Sequence, residues 1–218
     1  MPDRPWDPPG FWWPELPGVR GVRDRQAGGA WLAAKGASFS VILNRPESVA
    51  DLQPEGAPAL GSRGSIVLTS VAGGEVPHRH HTESFNLVEA RGGSVVVMQW
   101  NGVELTRTRL APGVHMLAHG DVNDPEFARI EAWLPTFQEL AGLPADTWQA
   151  AWLEALAATS QLGPDDDRAI IRDNTVHGYP TQSLLVCLAD IGPTSVDLGS
   201  VTLAEPAHWH GEECVHHG

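Results

Sequence analysis

The chain has 218 residues, of which 42% are hydrophobic and 19% are charged, and it contains 18 Pro and 23 Gly. This composition predicts a folded core with many loops and excludes a disordered or coiled-coil chain. The formal net charge is −13, which would repel phosphate backbones and anionic lipid surfaces. We therefore expect neither a nucleic acid nor a membrane as a partner.

The start of the chain and its two cysteines bear on the cellular compartment. The first residues are rich in Pro and lack the apolar core of a signal peptide. No apolar run approaches the length of a membrane span. Cys187 lies in the apolar run 184–188, which predicts a buried strand. A disulfide between Cys187 and Cys214 is one alternative. A reducing compartment fits this low cysteine content better, and we predict a cytoplasmic protein.

The first third of the chain predicts an arm, a hairpin and a short helix. Residues 1–28 are rich in Pro, Gly and Trp, and six Pro among the first 17 residues exclude a helix or a central strand. Residues 30–34 and 38–43 have the spacing of a hairpin, with Gly36 in its loop. Ser62 or Ser65 can cap a helix that runs through Ile66, Val67 and Val71.

The middle of the chain predicts strands. Four segments alternate with Gly-containing turns, at 84–89, 95–100, 104–110 and 114–118. Asn101 and Gly102 form a dipeptide that favours a tight hairpin turn.

The last part predicts two helices, two strands and a tail. Asp124 followed by Pro125 is typical of a helix start, and Pro135 predicts a kink. A second helix is expected after Asp146, and strands are expected at 183–189 and 196–203. Residues 208–218 are a polar, His-rich tail. We expect one α+β domain over 1–207, with the helices outside the strands.

Six short segments, taken in chain order, carry a resemblance to a known family. They are RDRQAGGAWLA at 23–33, FSVILNRP at 39–46, SRGSIV at 62–67, FNLV at 85–88, PGVHML at 112–117 and YPTQS at 179–183. These segments resemble motifs of the NRDE-motif family, also called the Transport and Golgi organisation protein 2 family. Residues 4–33 and 174–189 resemble a bacterial branch of the family in particular. The resemblance covers roughly residues 4–190.

The resemblance implies an N-terminal-nucleophile-hydrolase-like fold, an αββα sandwich of two antiparallel sheets. Family members usually start with Met-Cys and carry an acidic motif soon afterwards. This chain starts with Met1, Pro2 and Asp3, so we expect the cysteine and its strand to be missing, as in a chain truncated at its N-terminus.

The implied chemistry is amide (C–N) hydrolysis, in which the N-terminal thiolate attacks a carbonyl and the free α-amine acts as the base. Pro2 offers no nucleophile and Cys187 has no free amine, so we expect no hydrolysis by the chain as it stands. By its match to the family pattern, Asn44 could bind the oxyanion, although an ordinary strand-end Asn is the alternative. Arg45, His119 and Gln182 are candidate substrate-binding residues, and the last two depart from the family's Asn and Arg.

The resemblance also offers an alternative function, because eukaryotic relatives have been linked to haem handling and lipid metabolism. The chain would then be a non-catalytic binding or trafficking protein for a small apolar ligand such as haem or lipid. Histidines at 78, 80 and 81 and in the tail could bind a metal, but their spacing matches no closed zinc motif. We assign no metal and no cofactor, and we expect a small molecule as the substrate or ligand.

Overall fold

The computed structural model describes residues 4–178 and 181–217. Met1, Pro2 and Asp3, the start at which we expect the family's cysteine to be missing, lie outside the described residues. Tyr179 and Pro180 of the sixth segment also lie outside them. The described chain is mixed α+β, with a seven-stranded antiparallel sheet, a three-stranded sheet and three α-helices. This confirms the α+β class. No helix within these residues is long and apolar enough to cross a membrane.

The described residues divide into two compact units. The sheet unit contains residues 4–111, 189–198 and 216–217. The helical unit contains residues 112–178, 181–188 and 199–215. The single domain expected over 1–207 stays a prediction.

The sheet unit is built on the seven-stranded sheet, whose spatial order follows the chain order. Every neighbouring pair in it is antiparallel. The predicted hairpin and the predicted strands at 84–89, 95–100 and 104–110 are confirmed. The strands are β1 (Trp6–Gly10), β2 (Arg20–Asp24), β3 (Ala30–Lys35), β4 (Ser38–Asn44), β5 (Phe85–Arg91), β6 (Ser94–Trp100) and β7 (Leu105–Arg109).

Residues 1–28 contain two strands, β1 and β2. The exclusion of a central strand there is wrong for β2, which lies between β1 and β3. It holds for β1. β1 is an edge strand, where Pro is tolerated because one side of the strand needs no ladder hydrogen bonds. Its register shifts between Asp7 and Gly10, which is where Pro8 and Pro9 lie. The buried Asp7 carboxylate accepts hydrogen bonds from Arg23 and Arg25 of the neighbouring segment, with N–O distances of 2.6 Å.

Helix α1 (Gly64–Val71) packs against β3 and β4. The Ser62 hydroxyl accepts the backbone N–H of Gly64, but Arg63 occupies the N-cap position and gives no side-chain cap, so the predicted serine cap is only partly right. The buried side chains that join this helix to the sheet include Val67, Phe85 and Leu87. A short 3-10 turn, Ala50–Leu52, precedes the helix.

The helical unit contains α2 (Ala128–Glu139) and α3 (Trp148–Thr159). A 3-10 turn covers Thr175–His177. The second sheet has the order β10 (Val215–His217), β9 (Val196–Thr202) and β8 (Leu185–Ile191), and the boundary between the two units falls within β8 and β9. Strands β8 and β9 confirm the two closing strands, whereas β10 falls in the tail, where no strand was expected.

Two predictions in the helical unit are wrong. Residues 114–118 form no strand, and Leu117 makes only an isolated bridge with Val122. Helix α2 begins at Ala128 rather than Pro125. The Asp124 carboxylate accepts the N–H of Glu126 at 2.9 Å, which closes a turn that ends before the helix starts.

Candidate functional site

Arg45 follows β4 in the sheet unit, and its guanidinium is already held by neighbouring side chains. Its side chain is 12% exposed and forms an ion pair with Glu47, with Nη2 2.9 Å from Oε1. Nη1 also donates to Oδ1 of the fully buried Asn86 at 3.0 Å, and Nε2 of Gln99 donates to the same oxygen at 3.2 Å. A substrate carboxylate would have to compete with Glu47, so the predicted role of Arg45 needs a rearrangement of this pair.

Asn44, the predicted oxyanion residue, lies at the exposed end of β4, opposite Phe85 of β5. An amide exposed to water offers a developing oxyanion little more than water does. The role of Asn44 stays a prediction.

His119 and Gln182 lie in the helical unit. The ring of His119 packs edge-on against Phe127, with centroids 4.5 Å apart. Both rings line a cleft of about 310 Å³ whose other lining residues include Arg129, Arg172 and Asn174. We call it the arginine cleft. Gln182 does not line it, but its Nε2 donates to the Asp173 carboxylate at 2.8 Å, between Arg172 and Asn174 in the chain.

A second hollow in the helical unit has an apolar lining and a volume of about 220 Å³. We call it the apolar cavity. The rings of Phe137 from α2 and Trp152 from α3 meet at its wall with centroids 5.1 Å apart. The remaining lining residues are aliphatic or sulfur-containing side chains and one histidine: Val114, His115, Met116, Leu153, Leu156, Ile170, Val186, Cys187 and Leu188.

His115 is oriented by Asn123. The backbone N–H of Met116 donates to Oδ1 of Asn123 at 2.8 Å, which identifies that atom as the amide oxygen. The Asn123 amide nitrogen therefore donates to Nδ1 of His115 at 2.9 Å. The neutral ring then carries its proton on Nε2, so His115 presents a donor rather than a lone pair there.

Cys187, on β8, is the other group in the cavity lining with chemical reactivity. Burial raises the pKa of its thiol to about 12, and Cys214 adds to the shift. Because a thiolate is the reactive form, a thiol with this pKa is neither a nucleophile nor a ready metal ligand near neutral pH. Neither Cys187 nor Cys214 forms a disulfide in the described part of the chain.

The histidine clusters contact protein groups in several places. Nδ1 of His78 lies 3.1 Å from Arg107, and Nε2 of His81 lies 3.2 Å from the Ala59 carbonyl oxygen. In the tail, His208 and His210 both lie within 3.6 Å of the Glu205 carboxylate. In the part of the chain that the structure describes, no group of three or more His, Cys, Asp or Glu side chains is placed to hold a metal ion.

Sequence reasoning missed the lining of the apolar cavity and, apart from His119, that of the arginine cleft. The apolar residues of α2 and α3 were predicted only as core-packing faces. The sequence held one indication that Arg129 and Arg172 are partly buried. Lys and Arg together number only 14, and each of these two arginines directly adjoins an isoleucine. Their convergence, however, depends on how the loop before β8 meets the start of α2.

No protein-family model, no curated protein and no solved structure matches this chain.

Proposed function

We propose that this chain is a non-catalytic binding protein that takes a compact apolar ligand in the apolar cavity. The observation that carries this proposal is the lining, in which two aromatic rings and mainly aliphatic side chains surround about 220 Å³. Binding sites for small molecules are typically concave and apolar, with a few polar groups that set orientation. His115 is the polar group in this lining.

The cavity volume narrows the class of ligand. An apolar cavity of about 150 Å³ can hold benzene, whereas drug-sized ligands need about 300–1,000 Å³. The cavity in this chain therefore suits a single substituted ring or a short acyl chain.

The residues do not fit haem. An axial ligand needs a free nitrogen lone pair or a thiolate. His115 carries its proton on Nε2 in the hydrogen-bonded arrangement, and the pKa of Cys187 near 12 keeps its thiol protonated. Because the cavity lining offers no axial ligand for haem iron, a small lipid-like molecule is favoured over haem.

We also propose descent from the NRDE-motif family, with an N-terminal-nucleophile-hydrolase-like sandwich as the ancestral fold. The six sequence segments support this, and the large antiparallel sheet is compatible with it. Amide hydrolysis is not part of the proposed function, because Cys187 is a protonated thiol inside a strand. Turnover of a panel of simple amides would contradict the non-catalytic assignment.

The test is titration of ¹³C-methyl-labelled protein with toluene, followed by NMR. We expect saturable shifts in the methyl signals of Ile170, Val186 and Leu153, because these residues line the cavity. Leu153→Trp fills the cavity and should weaken binding at least about tenfold, in keeping with the loss of more than about 1.4 kcal/mol.

Leu143→Trp is the matched control, because Leu143 is partly exposed and does not line the cavity. It should bind toluene as the unchanged protein does. Equal binding by Leu153→Trp, or shifts that do not saturate, would overturn the proposal. Thermal melts of both variants establish that each is folded.

A further inference from the structure

We propose that the arginine cleft is a binding site for an oxyanion, a phosphate or carboxylate group carried by a small organic molecule. The cleft and the apolar cavity have no lining residue in common. This site is therefore argued and tested independently of the proposed function.

Arg172 forms the built part of the site. Only 4% of the residue is exposed. Its Nε donates to Oδ1 of Asn174 at 2.8 Å, and Nη1 donates to the Asp167 carbonyl oxygen at 3.2 Å. Nη2 donates to the Asp167 carboxylate at 3.1 Å. These contacts fix the plane of the guanidinium, and a fixed guanidinium binds an oxyanion with little loss of side-chain entropy.

Arg129 supplies the second cation. It lies in the first turn of α2 and is half-buried, and its guanidinium makes no hydrogen bond or ion pair with any residue between 4 and 178 or 181 and 217. Burial, and then the charge of Arg172, lower its pKa to about 10, while the charge of Asp167 opposes the shift. The guanidinium is desolvated and has no carboxylate in contact with it, and a bound oxyanion would provide that contact.

The carboxylates around the cleft offset this positive charge only in part. Asp167 pairs with Arg172 and acts on Arg129, but its side chain is 71% exposed. Glu126 is also exposed, so water screens both carboxylates. The Asp166 carboxylate forms an ion pair with Arg168. Hydrogen bonds from Arg168 lower the pKa of Asp166 to about 2. The two arginines are the less solvated charges, so an anion in the cleft would interact most strongly with them.

The rest of the cleft indicates the kind of molecule that carries the anion. Phe127 and His119 present the edge-on ring pair described above, so an aromatic or other flat group could pack beside the oxyanion. The volume of about 310 Å³ suits one ring with one charged substituent.

Isothermal titration calorimetry with phenyl phosphate, benzoate and neutral phenol, at constant ionic strength, tests the proposal. We expect saturable binding of at least one of the two anions and much weaker binding of phenol. Whichever anion binds more tightly identifies the source of the oxyanion. Arg129→Gln should raise the Kd of that anion at least tenfold, and Arg129→Lys should give an intermediate value because Lys keeps the charge but loses the forked geometry.

Arg129 is a suitable probe because it has no hydrogen bond to lose, so Arg129→Gln should melt at the same temperature as the unchanged protein or higher. Arg109→Gln is the charge-matched control: Arg109 is exposed on β7, does not line the cleft, and should leave the Kd unchanged. The proposal is overturned if neither anion binds saturably, if phenol binds as tightly as the anions, or if Arg129→Gln leaves the Kd unchanged.

Discussion

Cys187 shows how the environment of one residue decides its chemistry. The same thiol in an exposed loop would be a moderate nucleophile, but burial on β8 raises its pKa from the ordinary value of 9.0 to about 12. Burial disfavours the charged thiolate because the surrounding apolar side chains cannot solvate it. The residue therefore contributes apolar volume to the cavity wall rather than reactivity.

We predict that alkylation of Cys187 by iodoacetamide at pH 8 is strongly suppressed in the folded protein. A pKa shift of about three units lowers the thiolate fraction about a thousandfold relative to the unfolded chain. The measurement uses a Cys214→Ala variant, so that only Cys187 reacts, and compares the labelling rate with and without urea. The folded-state rate should rise about tenfold per pH unit above pH 8. Equal rates in the folded and unfolded protein would show that the thiol is neither buried nor shifted.

At the scale of secondary-structure elements, Gly29 and Gly64 allow the start of α1 to lie in close contact with the start of β3. A Cβ on Gly64 would lie 2.8 Å from the backbone nitrogen of Ala30, and one on Gly29 would lie 2.6 Å from backbone atoms of Gly64. Backbone atoms cannot move aside as the end of a side chain can. The close approach of these two backbone segments therefore requires Gly at both positions.

We predict that Gly64→Ala destabilises the protein by about 1–3 kcal/mol, the usual cost of overpacking a tight contact. Urea denaturation measures the change. Gly163→Ala is the control, because its new Cβ would meet only the flexible carboxylate of Asp165. That variant should stay within about 0.5 kcal/mol of the unchanged protein. A neutral Gly64→Ala would mean that α1 does not lie this close to the start of β3.

At the scale of the whole molecule, some carboxylates form ion pairs although acidic residues outnumber basic ones. The 27 acidic residues outnumber the 14 Lys and Arg, yet Asp7 alone engages both Arg23 and Arg25. The hydrogen bond from Arg25 is the main cause that lowers the pKa of Asp7; burial opposes it and the bond from Arg23 adds to it. The pKa values of Asp24, Asp173 and Glu212 are lowered too.

A carboxylate whose pKa is lower in the folded state stabilises the fold above its unfolded pKa, and this contribution is lost as the pH falls. We therefore predict that the free energy of unfolding declines from about pH 5 towards pH 2, the range between ordinary carboxyl pKa values and that of Asp166. Asp7→Asn should be less stable than the unchanged protein at pH 7, and the difference should shrink as the pH falls.

Urea denaturation at pH 7, 4 and 3 checks this. Asp146→Asn, at an exposed position, is the charge-matched control and should follow the unchanged protein throughout. A difference between Asp7→Asn and the unchanged protein that stays constant with pH would rule out a contribution from the Asp7 ion pairs.

Local pattern predicted much of the fold. The hairpin of β3 and β4, the strands β5 to β9 and the helix after Asp146 follow from alternating or helical apolar spacing, which one segment carries by itself. Local apolar spacing failed to predict strands that form only because they pair with an adjacent strand. β1 contains Pro8 and Pro9 and is a strand only because it lies at the edge of the sheet, and β10 is short and polar and depends on pairing with β9.

The candidate site was predictable to a smaller extent. The sequence by itself determined the acidic composition and offered His119 and Gln182 as polar candidates. Only the tertiary structure decided that His119 lines the same cleft as Arg129 and Arg172, and that α2, α3 and β8 contribute residues to one apolar cavity. Both hollows join segments that are distant in the chain, and side-chain convergence of that kind leaves no periodic signal in a sequence because packing, not local preference, creates it.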